Sequence, residues 1–248
     1  MLSTNKTAAI LVIGDEILSG RTREGNAHHL AGVLSAVGID LREVRIISDE
    51  KSLIIEAIRA LDSSLGGRYD LLFTSGGIGP THDDVTADAV AEAFGTGINM
   101  NEEALTVMRE RWKKRGVSVS GNRLRMARIP LGAKLIHNSV SAAPGFHLGQ
   151  TYVMAGVPEV FRAMVDAVLP ELPTGQPPVS ESLDVHRGES EVADDLKAVA
   201  DKYDDLSLGS YPWHRDGTYG TMLVIRGLDR TRVTAAMAAL KQRIGAQS

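Results

Sequence analysis

No cysteine occurs in the 248 residues, which excludes disulfides, thiolate zinc sites and cysteine nucleophiles. A basic surplus is missing as well. Against 31 aspartates and glutamates stand 27 lysines and arginines, so the net charge is −4 and the pI near 6.0. Such a balance gives no electrostatic case for nucleic acid as a partner. No apolar run approaches the roughly 20 residues of a membrane span. Met1 to Thr7 is too short and polar, ahead of the first strand, to be a signal peptide. No internal repeat or low-complexity segment stands out. The expectation from these absences is a soluble, cytoplasmic protein without membrane or nucleic-acid partners.

What is present is an alternating pattern. The 43% hydrophobic content is enough for a sizeable core, and the length suits one larger domain plus a smaller one at roughly 100–200 residues each. Ala8 to Ile13 reads as a buried strand ending at Gly14-Asp15-Glu16. Asn26 is placed to N-cap a helix over Ala27 to Val37, whose Leu30, Val33, Leu34 and Val37 share one face. A strand follows from Ile39 to Ile47, then Ser48-Asp49-Glu50 and a helix from Lys51 to Ser64. A third strand runs from Leu71 to Thr74. This β-loop-α repetition predicts a parallel sheet with helices on both faces.

The third strand stops at Ser75-Gly76-Gly77-Ile78-Gly79-Pro80-Thr81-His82-Asp83-Asp84-Val85-Thr86. Gly76, Gly77 and Gly79 permit backbone angles closed to other residues and leave N–H groups open to a ligand. Open α/β sheets bind ligands at such strand ends. Asp83-Asp84 then leads into a helix from Val85 to Phe94, where Asp84 has a second reading as an N-cap. Further on the pattern predicts helices over Glu102 to Arg115 and Asn122 to Arg128, strands at Lys134 to Ile136 and Thr151 to Met154, and a helix running to Leu169. Arg123, Arg125 and Arg128 read either as a neutralising patch for a phosphorylated ligand or as a solvated face. Prolines 170, 173, 177 and 178 with Gly175 mark a boundary: a domain over 1–172, a linker over 173–178 and a domain over 179–248. The last reads as strand Val179 to His186, helix Ser190 to Tyr203, strands Leu206 to Tyr211 and Thr221 to Arg226, and helix Arg230 to Ile244. Trp213 to Asp216 fall in its hairpin.

Four segments together carry a resemblance. Gly14-Asp15-Glu16-Ile17-Leu18-Ser19-Gly20 with Asn26, the glycine loop, Ala143-Pro144-Gly145-Phe146 and Gly156-Val157-Pro158 closely resemble the competence/damage-inducible CinA proteins. The resemblance covers residues 8 to about 170. It implies a three-layer α/β/α molybdopterin-binding (MoaB/Mog-like) domain, followed by a small C-terminal α+β, KH-like domain. The chain stops at Ser248, so the short form without the deamidase domain is expected. Ser141-Ala142 stand where Gly-Thr is usual, and Ala155 where a proline is usual. Both departures touch loops that read the ligand.

The resemblance also implies phosphoanhydride chemistry. Asp49 and Asp84 align with the functional aspartates of molybdopterin adenylyltransferases and are the expected catalytic pair. Asp49 alone also reads as an N-cap. The implied phosphate- and ligand-binding set is Gly14, Asp15, Ser75, Gly76, Gly77, Gly79, Thr86, Asn138, Pro144, Gly145, Gly156 and Pro158. Two carboxylates beside a phosphate call for a hard cation, so Mg²⁺, or Mn²⁺ or Co²⁺, is expected on Asp49, Asp83 and Asp84. His82 reads as an exposed loop histidine, and Ser75 lacks the histidine partner of a nucleophile motif. Three functions compete. The first is a metal-dependent nucleotide pyrophosphatase acting on ADP-ribose, FAD or a related dinucleotide. The others are a molybdopterin adenylyltransferase and a non-catalytic pterin- or nucleotide-binding module. Self-association into a homo-oligomer is the family tendency.

Overall fold

A computed structural model describes residues 5–116 and 121–245. Of the N-terminal segment expected to carry no signal, Met1 to Thr4 lie outside the described residues. The chain divides into two compact units at Gly175/Gln176.

In the first unit the order is β1 (Thr7–Ile13), α1 (Asp15–Leu18), α2 (Asn26–Ala36), β2 (Asp40–Ile47), α3 (Lys51–Leu61), β3 (Leu71–Ser75) and α4 (Thr86–Ala93). Then come β4 (Ile98–Met100), α5 (Glu102–Lys114), α6 (Gly121–Leu124), β5 (Arg128–Pro130), β6 (Lys134–Ile136), β7 (Gly145–Leu148), β8 (Thr151–Met154) and α7 (Pro158–Val168). The main sheet runs β2-β1-β3-β8-β7-β6. Its first four strands are parallel, while β7 pairs antiparallel with both β8 and β6.

Side-chain alternation along β1 explains the three layers. Ala8, Ile10 and Val12 enter one core with Leu30, Leu34, Phe161 and Val165 of α2 and α7. Ala9, Leu11 and Ile13 enter the other with Ile54, Ile58, Ala89 and Val90 of α3 and α4. Leu72 and Phe73 divide the same way and are fully buried. Each such large side chain contributes roughly 1.5–3 kcal/mol by leaving water. A separate cluster joins Leu105, Met108 and Trp112 of α5 to Ala127, Ala142 and Ala143.

Several elements differ from the sequence pattern. The helix expected over Asn122 to Arg128 is only the short α6, a 3-10 turn at Arg125–Ala127 and then β5. Arg128 to Pro130 pair instead with β4. β7 was not expected, and it begins inside the segment read as a ligand loop. The helix expected to reach Ser64 ends at Leu61, because Asp62 takes the Ser64 N–H on its own carboxylate at 2.7 Å. Fully buried Asp62 also accepts from Gln150 N at 3.1 Å and Thr151 Oγ1 at 2.6 Å, locking the amino end of β8. The first half of the expected linker stays on this unit: Leu172 is buried, and Gly175 N donates to Val37 O at 2.9 Å.

The second unit is β9 (Val179–Val185), α8 (Glu189–Lys202), β10 (Ser207–Arg215), β11 (Thr218–Gly227) and α9 (Arg230–Ile244). Its sheet, β10-β11-β9, is antiparallel and packs Val185, Leu223 and Ile225 against Val192, Val199, Val233 and Leu240. Both hairpin strands are longer than the apolar pattern suggests. The turn is the two residues Asp216-Gly217, both at positive φ, and Trp213, His214 and Arg215 belong to β10.

Candidate functional site

Chain order fixes the place of the site. From β1 the chain steps outward to β2 and then crosses to the other side of β1 as β3. The connections therefore diverge above β1 and β3, and a crevice opens at their carboxyl ends. A cavity of about 520 Å³ lies there, lined by Ile13, Glu16, Thr22, Asp49, Gly76 to Pro80, Asp83, Asp84, Met126, Ser141, Ala143, Ala155 to Pro158, Val160 and Met164.

The glycine loop has the shape it has because side chains would not fit. Gly76 sits at φ 109°, and a Cβ there would lie 2.1 Å from Ile13 O. At Gly77, φ 66°, it would lie 2.1 Å from Thr86 Oγ1. The loop is then stapled. Thr86 Oγ1 donates to Gly76 O at 3.1 Å, and Thr86 N to Gly77 O at 3.0 Å. Asp84 closes the far side: its Oδ1 accepts from Gly79 N at 2.6 Å, and its Oδ2 from Thr81 N at 2.7 Å and from Thr81 Oγ1. Gly76 N donates to Met154 O at 3.1 Å. Among the described residues, the N–H groups of Gly77 and Ile78 have no protein acceptor. Both line the cavity and are open to a ligand.

A buried amide ties the loops of three elements together. Asn26 Nδ2 donates to Ser75 Oγ and to Gly156 O, each at 2.8 Å. Asn26 does not cap its helix. That task falls to the Glu24 carboxylate, which accepts from Asn26 N at 2.8 Å and Ala27 N at 2.9 Å.

Negative charge gathers on one wall. Asp49 Oδ2 accepts from Asp15 N at 3.0 Å, an interaction between the ends of β1 and β2. Burial pushes the Asp49 carboxyl above its ordinary value, and the charges of Asp15, Glu16 and Asp83 push the same way against the Asp15 N–H. No lysine or arginine pairs with Asp15, Glu16 or Asp49 among the described residues. Nor do three or more acidic or histidine side chains there converge as a ready metal cage. This donor set fits a hard divalent cation held by one or two carboxylates and completed by ligand phosphates and water. It does not fit an all-protein site on Asp49, Asp83 and Asp84.

The profile described as "Probable molybdopterin binding domain" matches residues 9–174. The chain belongs to the molybdopterin-binding domain family. A second profile, "FAD synthase, middle domain", matches residues 177–248. A Metallosphaera sedula protein is 39% identical over 177 residues, spanning 70% of this chain and 66% of the relative. Another from Pyrobaculum arsenaticum is 37% identical over 215 residues, 83% of this chain and 79% of its own length. The chain thus spans just under two thirds of the first of these relatives. The crystal structure of "the protein CinA with unknown function" from Thermoplasma acidophilum shares 33% identity at a TM-score of 0.60. It covers 68% of this chain and 99% of that one. The first unit is a CinA-like molybdopterin-binding domain.

Within this molybdopterin-binding domain the expected site residues separate into groups. Asp49, Gly76, Gly77, Gly79, Asp83, Asp84, Gly156 and Pro158 line one cavity. Asp49 and Asp84 cap no helix: the N-caps of α3 and α4 are Glu50 and Val85. Asp15 reaches the wall through its backbone, and Gly14 N is held by Ile47 O at 3.1 Å. Four expectations of direct ligand contact meet a different arrangement. The Thr86 hydroxyl is fully buried and committed to Gly76 O. Ser75 is buried beneath the loop as the acceptor of Asn26. Asn138 turns its amide on its own loop, donating to Ala143 O at 3.0 Å and accepting from Val140 N at 3.1 Å. Gly145 lies inside β7, where a Cβ would sit 2.3 Å from Val153 O. Pro144 lines a smaller recess beside Gly79 and Asp84. Of the three arginines, Arg128 is committed to Asp88 through both terminal nitrogens. The sequence reading missed Thr22 and Met126, neither of which belongs to a motif, whereas Glu16 comes to the cavity wall from the Gly14-to-Gly20 motif.

Proposed function

We propose that the cleft cleaves the phosphoanhydride of a dinucleotide such as ADP-ribose or FAD with the help of a divalent cation. The observation that carries this reading is the pairing of unneutralised carboxylates around Asp49 with the unpaired N–H groups of Gly77 and Ile78 across one cavity. Carboxylates alone would repel a diphosphate, and N–H donors alone would bind it without activating water. Both in one cavity suit hydrolysis. The match of residues 177–248 to the FAD-synthase middle domain supports a nucleotide ligand.

The roles follow from the contacts. Gly77 and Ile78 N–H hold phosphate oxygens. Asp49 is the carboxylate for the attacking water and, with Asp83, for the cation, which when bound would neutralise the phosphates. Water oxygen joins one phosphorus, the bridging oxygen departs on the other phosphate, and a nucleoside monophosphate is released. Asp84 keeps the loop in shape. Its Oδ2 is filled by two donors and its Oδ1 by one, so a single lone pair remains for the site. The apolar wall of Val157, Val160 and Met164 packs the organic half.

The test is release of AMP from ADP-ribose and FAD by the full chain with Mg²⁺, Mn²⁺ or Co²⁺. An inert wild type, or equal turnover in Asp49→Asn, sinks the proposal. Adenylyl transfer from ATP to a pterin phosphate, with no hydrolysis, would replace it with the transferase reading. Light scattering on the same preparation tests the homo-oligomer expected of this family.

A further inference from the structure

A second pocket lies beside the glycine loop, about 490 Å³ in volume and lined by Pro80, Thr81, His82, Asn122, Arg123 and Arg125. It shares Pro80 with the main cavity. None of its lining residues is acidic, whereas the main cavity carries Glu16, Asp49, Asp83 and Asp84. Arg125 stands at the junction. It lines this pocket and also the small recess formed with Gly77, Gly79 and Asp84. Its Nε is buried and, among the described residues, has no hydrogen-bond partner. A buried guanidinium N–H without an acceptor is costly, so the position calls for an anionic acceptor from outside the chain. Neighbouring arginines are otherwise engaged: Arg128 with Asp88, Arg111 with Ser141 O and Arg115 with Val140 O.

We infer that Arg125 binds one phosphate of a two-ended diphosphate, whose two organic halves occupy the main cavity and the side pocket. This rests on the cleft being a nucleotide site, and it narrows the ligand class. A diphosphate flanked by two substituents, a dinucleotide or an adenylylated pterin alike, uses both pockets, whereas a bare pterin phosphate leaves the side pocket without a role. The planar guanidinium suits the task, since it engages two phosphate oxygens at once.

Calorimetric titration of the full chain with inorganic pyrophosphate and inorganic phosphate, each with Mg²⁺, tests the inference. Wild type is expected to bind pyrophosphate at least tenfold more tightly than phosphate. Arg125→Gln should lose at least tenfold in pyrophosphate affinity and Arg125→Lys about threefold. Unchanged affinity in Arg125→Gln, or no preference for pyrophosphate in wild type, overturns it. Should Arg125→Gln fail to melt cooperatively, Arg125→Lys decides, and wild-type affinity there overturns the guanidinium assignment. ADP-ribose turnover measured in parallel separates the two proposals. Turnover with Arg125-independent binding removes Arg125 alone, and Arg125-dependent binding without turnover removes hydrolysis alone.

Discussion

Replacing Asn26 by alanine removes the amide that joins the start of α2, the end of β3 and the β8–α7 loop. The side chain is buried, and its Nδ2 makes two hydrogen bonds of 2.8 Å, to Ser75 Oγ and Gly156 O. Deleting it leaves the Gly156 carbonyl and the Ser75 hydroxyl without this donor. At about 1–2 kcal/mol for the stranded carbonyl and about 0.5–1 for the rotatable hydroxyl, the loss is about 1.5–3 kcal/mol. For a unit of this size that is a fall in Tm of roughly 5–10 °C. Ser75→Ala removes one acceptor and leaves the bond to Gly156, so its cost is about 1 kcal/mol. Because both act on one amide, the double variant should be less destabilised than the sum of the singles by about 1 kcal/mol. The assay is urea unfolding followed by tryptophan fluorescence in a Trp213→Phe background. Of the two tryptophans, only buried Trp112 then reports, and it sits in the first unit. A cost below 0.5 kcal/mol for Asn26→Ala, or additivity within 0.3 kcal/mol, would refute the clasp.

Other expectations follow from the same structure. Asp49→Asn should lower dinucleotide turnover by about 10²-fold or more, the ordinary range for removing a proton-accepting group. It should leave Tm unchanged or raise it, because a crowded negative charge is relieved; a lower Tm with intact turnover would contradict both statements. Gly76→Ala places a Cβ 2.1 Å from Ile13 O at a φ of 109°, so a loss of at least about 2 kcal/mol in urea unfolding is expected. Thr86→Val keeps the shape and deletes the hydroxyl that holds Gly76 O. It should cost about 1–2 kcal/mol and, if the hydroxyl has no ligand role, change KM less than twofold. At the opposite end of the sheet, Asp70 accepts from Lys6 Nζ and from Thr7 N and Oγ1, which hold its carboxyl down to about 2 from 3.8. The folded-state value is depressed, so the stabilisation is present above pH 4 and lost as pH falls toward 2. Unscreened, that displacement is about 2.4 kcal/mol; the side chain is 35% exposed, and screening brings it to about 1 kcal/mol. Asp70→Asn should flatten acid unfolding between pH 4 and 2, and an unaltered acid profile would count against the assignment.

The sheet was legible because its central strands are buried on both faces. Ala8 to Ile13 and Leu71 to Phe73 are uninterrupted apolar runs; the first stops at Gly14, and Thr74-Ser75 carry the second to Gly76, where the crevice begins. β5 and β7 were not legible although β6 and β8, equally short, were: Arg128 continued a basic run read as helix, and Gly145 follows a proline in a stretch read as loop. The glycine loop announced itself through Gly76 and Gly77, whose positions tolerate nothing larger. The use of its polar side chains did not, since a threonine or asparagine in a loop reads alike whether it faces a ligand or a carbonyl. Thr86, Ser75 and Asn138 all face inward. Asp84 shows the same ambiguity for a carboxylate, in sequence a catalytic candidate and in structure mainly the acceptor of Gly79 and Thr81. Arg125 differs from Arg128 only by the salt bridge that one makes and the other does not.

The hydrogen bond from Asn26 to Gly156 spans 130 residues, and this bears on the order in which the molecule comes into being. In the second unit a two-residue turn starts β10 and β11, so pairing grows from neighbours in sequence and should be fast. In the first unit β3 must wait for β8, some eighty residues later along the chain, before its second edge is covered. During synthesis β1, β2 and β3 emerge early, with β3 open along one side. The cleft has no far wall until Gly156 and Pro158 arrive. The binding site is therefore completed late, and a chain halted before residue 151 would present the edge of β3 in place of a pocket.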